Sequence, residues 1–544
     1  MSKPIFKIKP LGGVGQIGSN MTLIETASER IVIDCGILFP FEDYFDINYL
    51  IPNLSNEAPF DHIVFTHGHE DHIGAVSHFI QHSPEAKIHA GDFTAALIRK
   101  KLDYNKTPHH INVFDYHQTL KFNDISIDPI RVNHSIPDTF GLLIKDHKEF
   151  FALFFASDFK IDLKTKYELP FDFEKLKRLS AMAQKRVFMA DSTNILSSNL
   201  NTPSEFDLIA HFEKVFEKLE NRLFVTCFSS NIHRLKTLID LCEKYEFKLV
   251  PHGRSVISYL NIANEKGMIP NFDTVVRLPD QVQKGQKNLC VILSGCQGDH
   301  LGTLRRVSIN EDSQFKLKPE DTVIFSSKPI PGNEKKVSMI MNKITELGAN
   351  LITDPKALFH VSGHPGKNDL LKIYHEFDPN TIIPIHGETL FLKEHVKFIS
   401  EAYPQASSIL VENFDDLHFF ENLEIRKIKG ERLEPVIIHG NGIPLERERI
   451  SERRKISCNG GVFLSLTPNN KLKKIDRFEF STLGLPAHFH QNEEQFKTFL
   501  TGFFDQNKIN DAEKFKEEVR VAIRRYFDAN IGYKPTTVVH LVNV

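Results

Sequence analysis

No stretch of this 544-residue chain is apolar for long enough to cross a bilayer. Its opening, MSKPIFKIKPLGG, lacks the apolar core of a secretory signal, so a cytoplasmic protein with no membrane partner is expected. Cysteine is scarce. The six residues, Cys35, Cys227, Cys242, Cys290, Cys296 and Cys458, form no CxxC pair and read as reduced core thiols. An excess of one charge is also missing. The net charge of −3 gives no global basic field, so a polyanionic partner would need a local patch. Internal repeats and low-complexity tracts are absent, and so is tryptophan, for which the sequence offers no physical reason. What remains is ordinary for a globular protein, with 41% hydrophobic and 25% charged residues. The length calls for two or three domains.

The chain begins with short strands, IFKIKPL, MTLIET and RIVID, then alternates strand and helix through DHIVFT and GAVSHFIQH. Two layers of sheet flanked by helices would accommodate this order. A boundary falls near Asn201, where TPSE offers Thr202 as N-cap, Pro203 at the first helical position and Glu205 at the third. From there to about Asp354 the pattern is repeated βαβ, through RLFVTCF, FKLVPH, LCVILS and DTVIFSS. The segments ALFHVSGH and NTIIPIHGE then read as strands ending in histidine. A charge-rich link leads to a small last unit, with strands near GGVFLSL and PTTVVHLV around the amphipathic helix EKFKEEVRVAIRRYF. Its apolar Phe515, Val519, Ile523 and Phe527 recur every four residues. That stripe must be buried, either against the unit's own sheet or in an oligomer. The G-x-G-x-x-G match GVGQIG, Gly13 to Gly18, is a decoy. A dinucleotide site needs a helix to start there, and SNMTLIET alternates like a strand.

THGHEDHIGAV carries the chemistry. After a strand, residues two apart face the same way, so His67 and His69 can share one ion. Asp71 and His72 lie further round, towards a second. Imidazole with carboxylate suits zinc, and manganese where oxygen dominates. Two ions need about seven protein ligands, which sends the search to other strand ends. His134 in RVNHSIPD, Asp158 in FFALFFASDFK and His386 in TIIPIHGE each follow an apolar strand. An unpaired carboxylate at Asp158 would be costly.

The order His67-x-His69-x-Asp71-His72, His134, Asp158, His386 resembles the metallo-β-lactamase fold. ADSTN, FSSNIHR, HVSGH and PIHGE resemble the β-CASP nucleases, and bacterial ribonuclease J among them; GGVGQIG, DCGILFP, SKPIPGNE and the last unit match as well. The resemblance implies an α/β architecture: an αββα metallo-β-lactamase sandwich with an inserted, Rossmann-like β-CASP domain and a small C-terminal α+β domain. The expected segments are 1–205 and 356–435 for the sandwich, 206–355 for the insertion and 436–544 for the link and last domain. It also implies a two-metal ribonuclease with 5′-to-3′ exonuclease and endonuclease action in RNA maturation and decay. His67, His69 and His134 would hold one divalent ion and Asp71, His72 and His386 the other, with Asp158 bridging. Zinc is the first choice, manganese or magnesium the alternatives. His364 would protonate the leaving oxygen and Asp191 would orient it, a division that suits a leaving alkoxide.

The same resemblance assigns single-stranded RNA with a 5′-monophosphate end as partner. Candidate contacts are Ser230, Asn231, His233 and Arg234 at a strand-to-helix junction, a geometry that binds phosphate, and the loop His360, Val361, Ser362, Gly363 and His364. Ser230 or Asn231 serving only as a helix cap is the simpler reading of that junction. A homo-dimer or homo-tetramer is implied too. Basic runs at Arg99–Lys101, Arg305–Arg306 and Lys471–Lys474 read as ordinary solvated faces. Gln16 replaces an acid common in relatives, and SGCQGDH departs from the usual motif around Cys296. Pro365 and Gly366 stand where a small residue and serine are common, which removes one backbone donor and one hydroxyl. Serine at 366 is therefore expected to sharpen selection of a 5′-phosphate. Two other functions fit parts of the pattern: a hydrolase of small phosphodiesters or thioesters, which would not need the insertion, and an inactive RNA-decay scaffold, which would not keep the ligands.

Overall fold

The computed structural model describes residues 3–40, 47–283, 285–299, 302–330, 332–353, 358–469, 474–487, 493–508 and 511–542. Lys471 and Lys473 of one basic run, His300 of SGCQGDH and Pro331 of SKPIPGNE lie outside them. The chain divides into two compact units, one of Met1–Phe41 and Tyr49–Val436, the other of Glu42–Asn48 and Ile437–Val544.

Two sheets make the body of the first unit. One has eight strands, with Phe6–Gly12, Met21–Glu25, Arg30–Ile33 and His62–Val64 side by side at its centre. The other has seven, including Ile125–Arg131, Phe140–Asp146, Phe151–Phe155, Lys185–Asp191 and Thr381–Ile385. Alternate residues of the second sheet point to opposite faces, and both faces are apolar. Val187 and Met189 meet Ile24, Ile33 and Val64 of the first sheet, while Phe188 and Ala190 pack on Leu370, Ile373 and Phe377 of a covering helix. A strand buried on both sides must read as a continuous apolar run, which is why FFALFF does. Crossover helices Val76–His82 and Asp92–Tyr104 join parallel strands of the first sheet. This is the expected αββα sandwich.

The chain leaves the second sheet after Asp191 and returns at Thr381 to the neighbouring position, pairing Asp191 with Ile385. Between these points stands a five-stranded all-parallel sheet in the order Lys248–His252, Leu289–Leu293, Leu223–Thr226, Thr322–Phe325, Asn350–Ile352. Its core of Phe224, Val250, Val291 and Val323 packs on Leu304, Val307, Val337, Ile340 and Ile344 from helices. The repeated βαβ pattern is thus a separate layer with its own core.

Three details differ from the sequence reading. Ser204, not Thr202, caps the helical segment after Asn201, in a box with Asp207 that opens a short 3-10 turn before Ile209–Phe216. Thr202 is unavailable because its hydroxyl donates to the His364 carbonyl at 2.7 Å. The segment 358–366 forms no strand; its polar groups are taken by side chains rather than by a sheet. Cys458 is exposed, whereas the other five thiols are buried as expected. As expected, GVGQIG opens no helix: Gly13, Gly15 and Gly18 are at positive φ, Val14–Gly15 pairs briefly with Gly387–Glu388, and Met21–Glu25 follows as a strand.

In the second unit, Gly461–Asn469 pairs with Lys474–Leu483 and with Thr536–Leu541 under helices Glu493–Gln506 and Ala512–Ile531. The helix Glu493–Gln506 was not read from the sequence. Its Phe496, Leu500 and Phe504 enclose Phe515, Val519, Ile523 and Phe527 against Val462, Leu464 and Leu466. The stripe is therefore covered within its own unit and is not itself an argument for an oligomer. Among the described residues no helix is long and apolar enough to cross a membrane. Ile523→Ala should lower the unfolding free energy of this unit by about 2–5 kcal/mol through the cavity left behind. Hydrogen exchange across 461–542 in increasing denaturant reads that loss; unchanged protection would remove the stripe from the core.

Candidate metal centre

The centre forms where several strands run out together. Residues 66–72 follow His62–Val64, Asp158 follows Phe151–Phe155, Asp191 ends Lys185–Asp191, and His386 follows Thr381–Ile385. Three non-glycine residues at these ends are left-handed: Asp34 at φ +59°, Ser157 at +56° and His386 at +49°. Each such residue costs about 1–2 kcal/mol, and the turn it makes swings the following side chain or its own towards the centre. Close backbone packing supports the 66–72 loop. Cys35 N donates to His72 O at 2.8 Å and Asn20 N to Asp71 O at 3.0 Å. A Cβ at Gly36 would lie 1.5 Å from the Asp71 carbonyl oxygen, so only glycine admits this approach.

Seven side chains converge there. The Nδ1 of His69 lies 3.1 Å from Nε2 of both His67 and His134. On the other side, His72 Nε2 is 3.7 Å from Asp71 Oδ2, and His386 Nε2 is 3.6 Å from it. Asp158 stands between the groups, at 3.8 and 3.9 Å from His67 and His134 and at 3.3 and 3.4 Å from His72 and His386. Four donors around a tetrahedral ion at about 2.0–2.1 Å stand about 3.3–3.4 Å apart, so these separations are those of co-ligands. Asp158 Oδ1 and His386 Nε2 are buried without a hydrogen-bond partner, which a cation would supply. The residues fit divalent metal binding.

A second layer of contacts fixes which nitrogen faces inward. The Asp34 carboxylate bonds His72 Nδ1 at 2.8 Å and accepts from the Thr66 hydroxyl at 2.7 Å; that hydroxyl lies 3.1 Å from His67 Nδ1. His134 Nδ1 donates to the Gly363 carbonyl at 2.7 Å, and His386 Nδ1 bonds the Thr193 hydroxyl at 2.8 Å. Electrostatics sort the imidazoles. Burial holds His67 and His134 well down and His69 at about 4, so all three offer free lone pairs. Burial opposes charge on His72 and His386 too, but Asp158 and the neighbouring carboxylates outweigh it, holding His72 up to about 10. The cluster therefore requires positive charge at its heart, from protons or from divalent cations.

His364 sits beside this group, its ring 5.4 Å from that of His386. Its Nδ1 is 2.7 Å from Asp191 Oδ2, and although burial opposes protonation, Asp191 raises its pKa. Asn194 donates to both the His364 carbonyl and the Ser362 hydroxyl, at 2.8 and 2.9 Å. Asp34, Thr66, Thr193, Asn194 and Thr202 were not singled out as site residues. The motifs DCGILFP, THGHEDHIGA and ADSTN contained the first four.

The RNA-contact candidates divide. Ser230 is partly exposed, whereas Asn231 is buried and caps helix Ile232–Lys244 by accepting from Arg234 N at 2.9 Å, as the simpler reading held. His233 is buried, 3.7 Å from Glu168. Arg234 is 0% exposed. Its guanidinium is taken by Glu205 at 2.9 and 3.0 Å and by the carbonyls of Ser326 and Phe359 at 3.0 and 2.8 Å. It clamps the start of the 359–364 loop and has no surface for a phosphate. In that loop, Val361 is buried, and His360, Ser362, Gly363 and His364 are partly exposed. Gly366 corrects a further expectation, because a Cβ there would meet the Leu200 carbonyl oxygen at 2.4 Å. Serine at 366 would displace backbone rather than add a phosphate donor.

Models of three families match successive parts of the chain: the metallo-beta-lactamase superfamily over 14–141, the ribonuclease J beta-CASP domain over 220–344, and the Zn-dependent metallo-hydrolase RNA specificity domain over 356–408. Curated relatives named ribonuclease J extend the likeness. The Helicobacter pylori protein (strain 26695) is 29% identical over 99% of this chain and 80% of its own length. That of Sinorhizobium meliloti is 27% identical over 98% of this chain and 97% of its own. The chain belongs to the ribonuclease J family. It is a metal-dependent ribonuclease, built as a metallo-β-lactamase sandwich with a β-CASP insertion. The Synechocystis member is 31% identical over 75% of this chain and 65% of its own. A crystal structure of an Enterococcus faecalis protein of unknown function shares the fold, with a TM-score of 0.55, 16% identity and coverage of 76% of this chain and 99% of that one.

Gly363 gives a test of the centre. A Cβ on it would lie 2.5 Å from the His134 ring, whose Nδ1 its carbonyl holds. Gly363→Ala should therefore lower metal content, measured by elemental analysis after dialysis. Full retention would mean that His134 needs no support from this carbonyl.

Proposed function

We propose that this ribonuclease uses two divalent ions to hydrolyse single-stranded RNA, from a 5′-monophosphate end and at internal sites, in RNA maturation and decay. His67, His69 and His134 hold one ion, Asp71, His72 and His386 the other, and Asp158 serves both. The observation that carries this reading is the single buried carboxylate of Asp158, within 3.9 Å of imidazoles from both groups. Zinc suits the imidazole-rich set best, with manganese or magnesium as alternatives. Such ions, when bound, supply charge neutralisation and an activated water near neutral pH.

The chain's own residues do the rest. The Asp191 carboxylate accepts a hydrogen bond from Nδ1–H of His364 and favours the charged imidazolium, so Nε2 is free to give its proton to the departing 3′-oxygen. The products are then a 5′-phosphate and a 3′-hydroxyl. Asp71, with its side chain 27% exposed, is the ligand carboxylate open to substrate. The 5′ end falls to the 359–364 loop. Ser362 Oγ already accepts from Asn194 and from His364 N, at 2.9 and 3.1 Å, so its own proton is left to donate outward. Lys367, three residues beyond His364, has its ammonium 5.7 Å from the centre of the Phe398 ring. End recognition therefore rests on few groups. An inactive scaffold is disfavoured, since all seven ligand residues and His364 are present and gathered.

Elemental analysis should find about two transition ions per chain; His69→Ala should lower that number, and His364→Ala should not. His364→Ala should nonetheless reduce cleavage by about 10²–10⁴-fold, the usual contribution of a general acid. RNA cleavage by metal-free protein would end the two-metal reading. For the chain end, rates on one RNA bearing a 5′-monophosphate, triphosphate or hydroxyl should rank monophosphate first. Equal rates on all three, with internal cuts alone, would leave only endonuclease action.

A further inference from the structure

A polar chain runs through the apolar layer behind the second sheet, and the ribonuclease chemistry described so far does not use it. His395, Tyr374 and Ser192 are each 0% exposed. The Tyr374 hydroxyl lies 2.6 Å from His395 Nε2, and the Ser192 hydroxyl lies 2.8 Å from His395 Nδ1. Around them pack Phe188, Ile373, Phe377, Ile399 and Tyr403. Polar groups in such a setting are costly unless every one is paired, so their persistence here asks for a reason.

The proton positions follow from the partners. Burial holds the His395 pKa down at about 3, so the ring is neutral and one nitrogen must accept. The Tyr374 hydroxyl faces His395 Nε2 and must donate there to place its proton. That leaves Nδ1–H to donate to Ser192 Oγ. The Ser192 proton then goes to the Ala190 carbonyl, at 3.4 Å. The opposite assignment strands the phenol proton in an apolar layer.

What the three residues join is the active centre. Ser192 is the residue after Asp191, and its backbone N–H donates to Ile385 O at 3.0 Å. Thr193, next in line, bonds both Asp191 and His386 through its hydroxyl. Tyr374 lies on helix Lys367–Phe377, which starts three residues after His364. His395 lies on helix Thr389–Ala402, which starts three residues after His386. One imidazole thus ties the segments that carry Asp191, His364 and His386.

We propose that His395 is a positioning residue for cleavage, setting the His364–Asp191 pair relative to the metal ligands through Ser192 and Tyr374. The proposal rests on the reading of His364 as the acid, and the test separates the two. His395→Leu and Tyr374→Phe would be compared with His364→Ala on RNA carrying one ordinary or one 3′-thio linkage. A thiolate leaves without a proton, so a defect confined to acid delivery shrinks on the thio linkage. His395→Leu should lower kcat about 10–100-fold on the ordinary linkage, as expected for a small misplacement of the acid. KM and metal content should stay within about twofold, and most of the loss should vanish on the thio linkage. Tyr374→Phe, which keeps the packing shape and removes one hydroxyl, should show a smaller loss of the same kind and guards against His395→Leu failing to fold. If His364→Ala is not relieved by the thio linkage, the acid assignment is wrong. If it is relieved but Tyr374→Phe keeps full kcat, or either relay variant loses rate equally on both linkages or in step with metal, the positioning role is overturned.

Discussion

A carboxylate just beyond a wholly apolar strand sets the terms for everything near it. Asp158 follows FFALFF and is 2% exposed. A lone charge there would be strongly unfavourable, and the fold answers with four imidazoles within 3.9 Å. Those imidazoles need acceptors or donors of their own, and this demand spreads outward to Asp34, Thr66, Thr193 and the Gly363 carbonyl. The left-handed turns at Asp34, Ser157 and His386 follow from the same demand, because ordinary strand continuations would carry these groups away from one another.

The insertion is coupled to this centre by the way the chain departs and returns. Asp191 and Ile385 are register partners in adjacent strands, so a whole domain opens and closes across one seam in the sheet. The hydrogen-bonded His364–Asp191 pair straddles that seam, with Asp191 on the outgoing strand and His364 on the returning loop. Arg234 then reaches from the inserted domain to the Phe359 carbonyl, while Glu205 holds it from the outgoing segment. A buried Arg–Glu pair is a poor source of stability, but it specifies geometry well when all its hydrogen bonds are filled. Placing a loop is a task that suits it.

The seven clustered residues were legible because each breaks a strong pattern: a histidine or aspartate where an apolar strand stops, and His-x-His-x-Asp-His where a turn would suffice. The sandwich and the parallel insertion were legible for a related reason, since burial on both faces writes unbroken runs such as LCVILS. Partners of the ligands were not legible. Threonine and asparagine in turns are too common for Thr66, Thr193 or Asn194 to stand out, and their roles depend on residues far away in sequence. SSNIHR was misread at Arg234 for the same reason. A strand-to-helix junction does suggest an anion site, but the orientation of this arginine is set by Glu205, 29 residues earlier. Likewise Thr202 looked like a cap until the His364 carbonyl, 162 residues later, engaged its hydroxyl.

Gly366 shows how a local departure from a motif can arise from packing rather than from substrate. Its Cα faces the Leu200 carbonyl so closely that any side chain would strike backbone. The same carbonyl accepts from Asn368 N at 2.9 Å, and the Gly366 N–H donates to Asp369 at 2.9 Å. Asp369 also accepts from Thr202 N at 3.1 Å. Residues 200–202 and 366–369 are therefore stitched together along their backbones, and Thr202 adds the His364 carbonyl to the seam. Loss of the side chain at 366 permits that stitching. The absence of a side chain at 366 is what lets the backbone behind His364 be held so closely. The arrangement favours a precisely held His364.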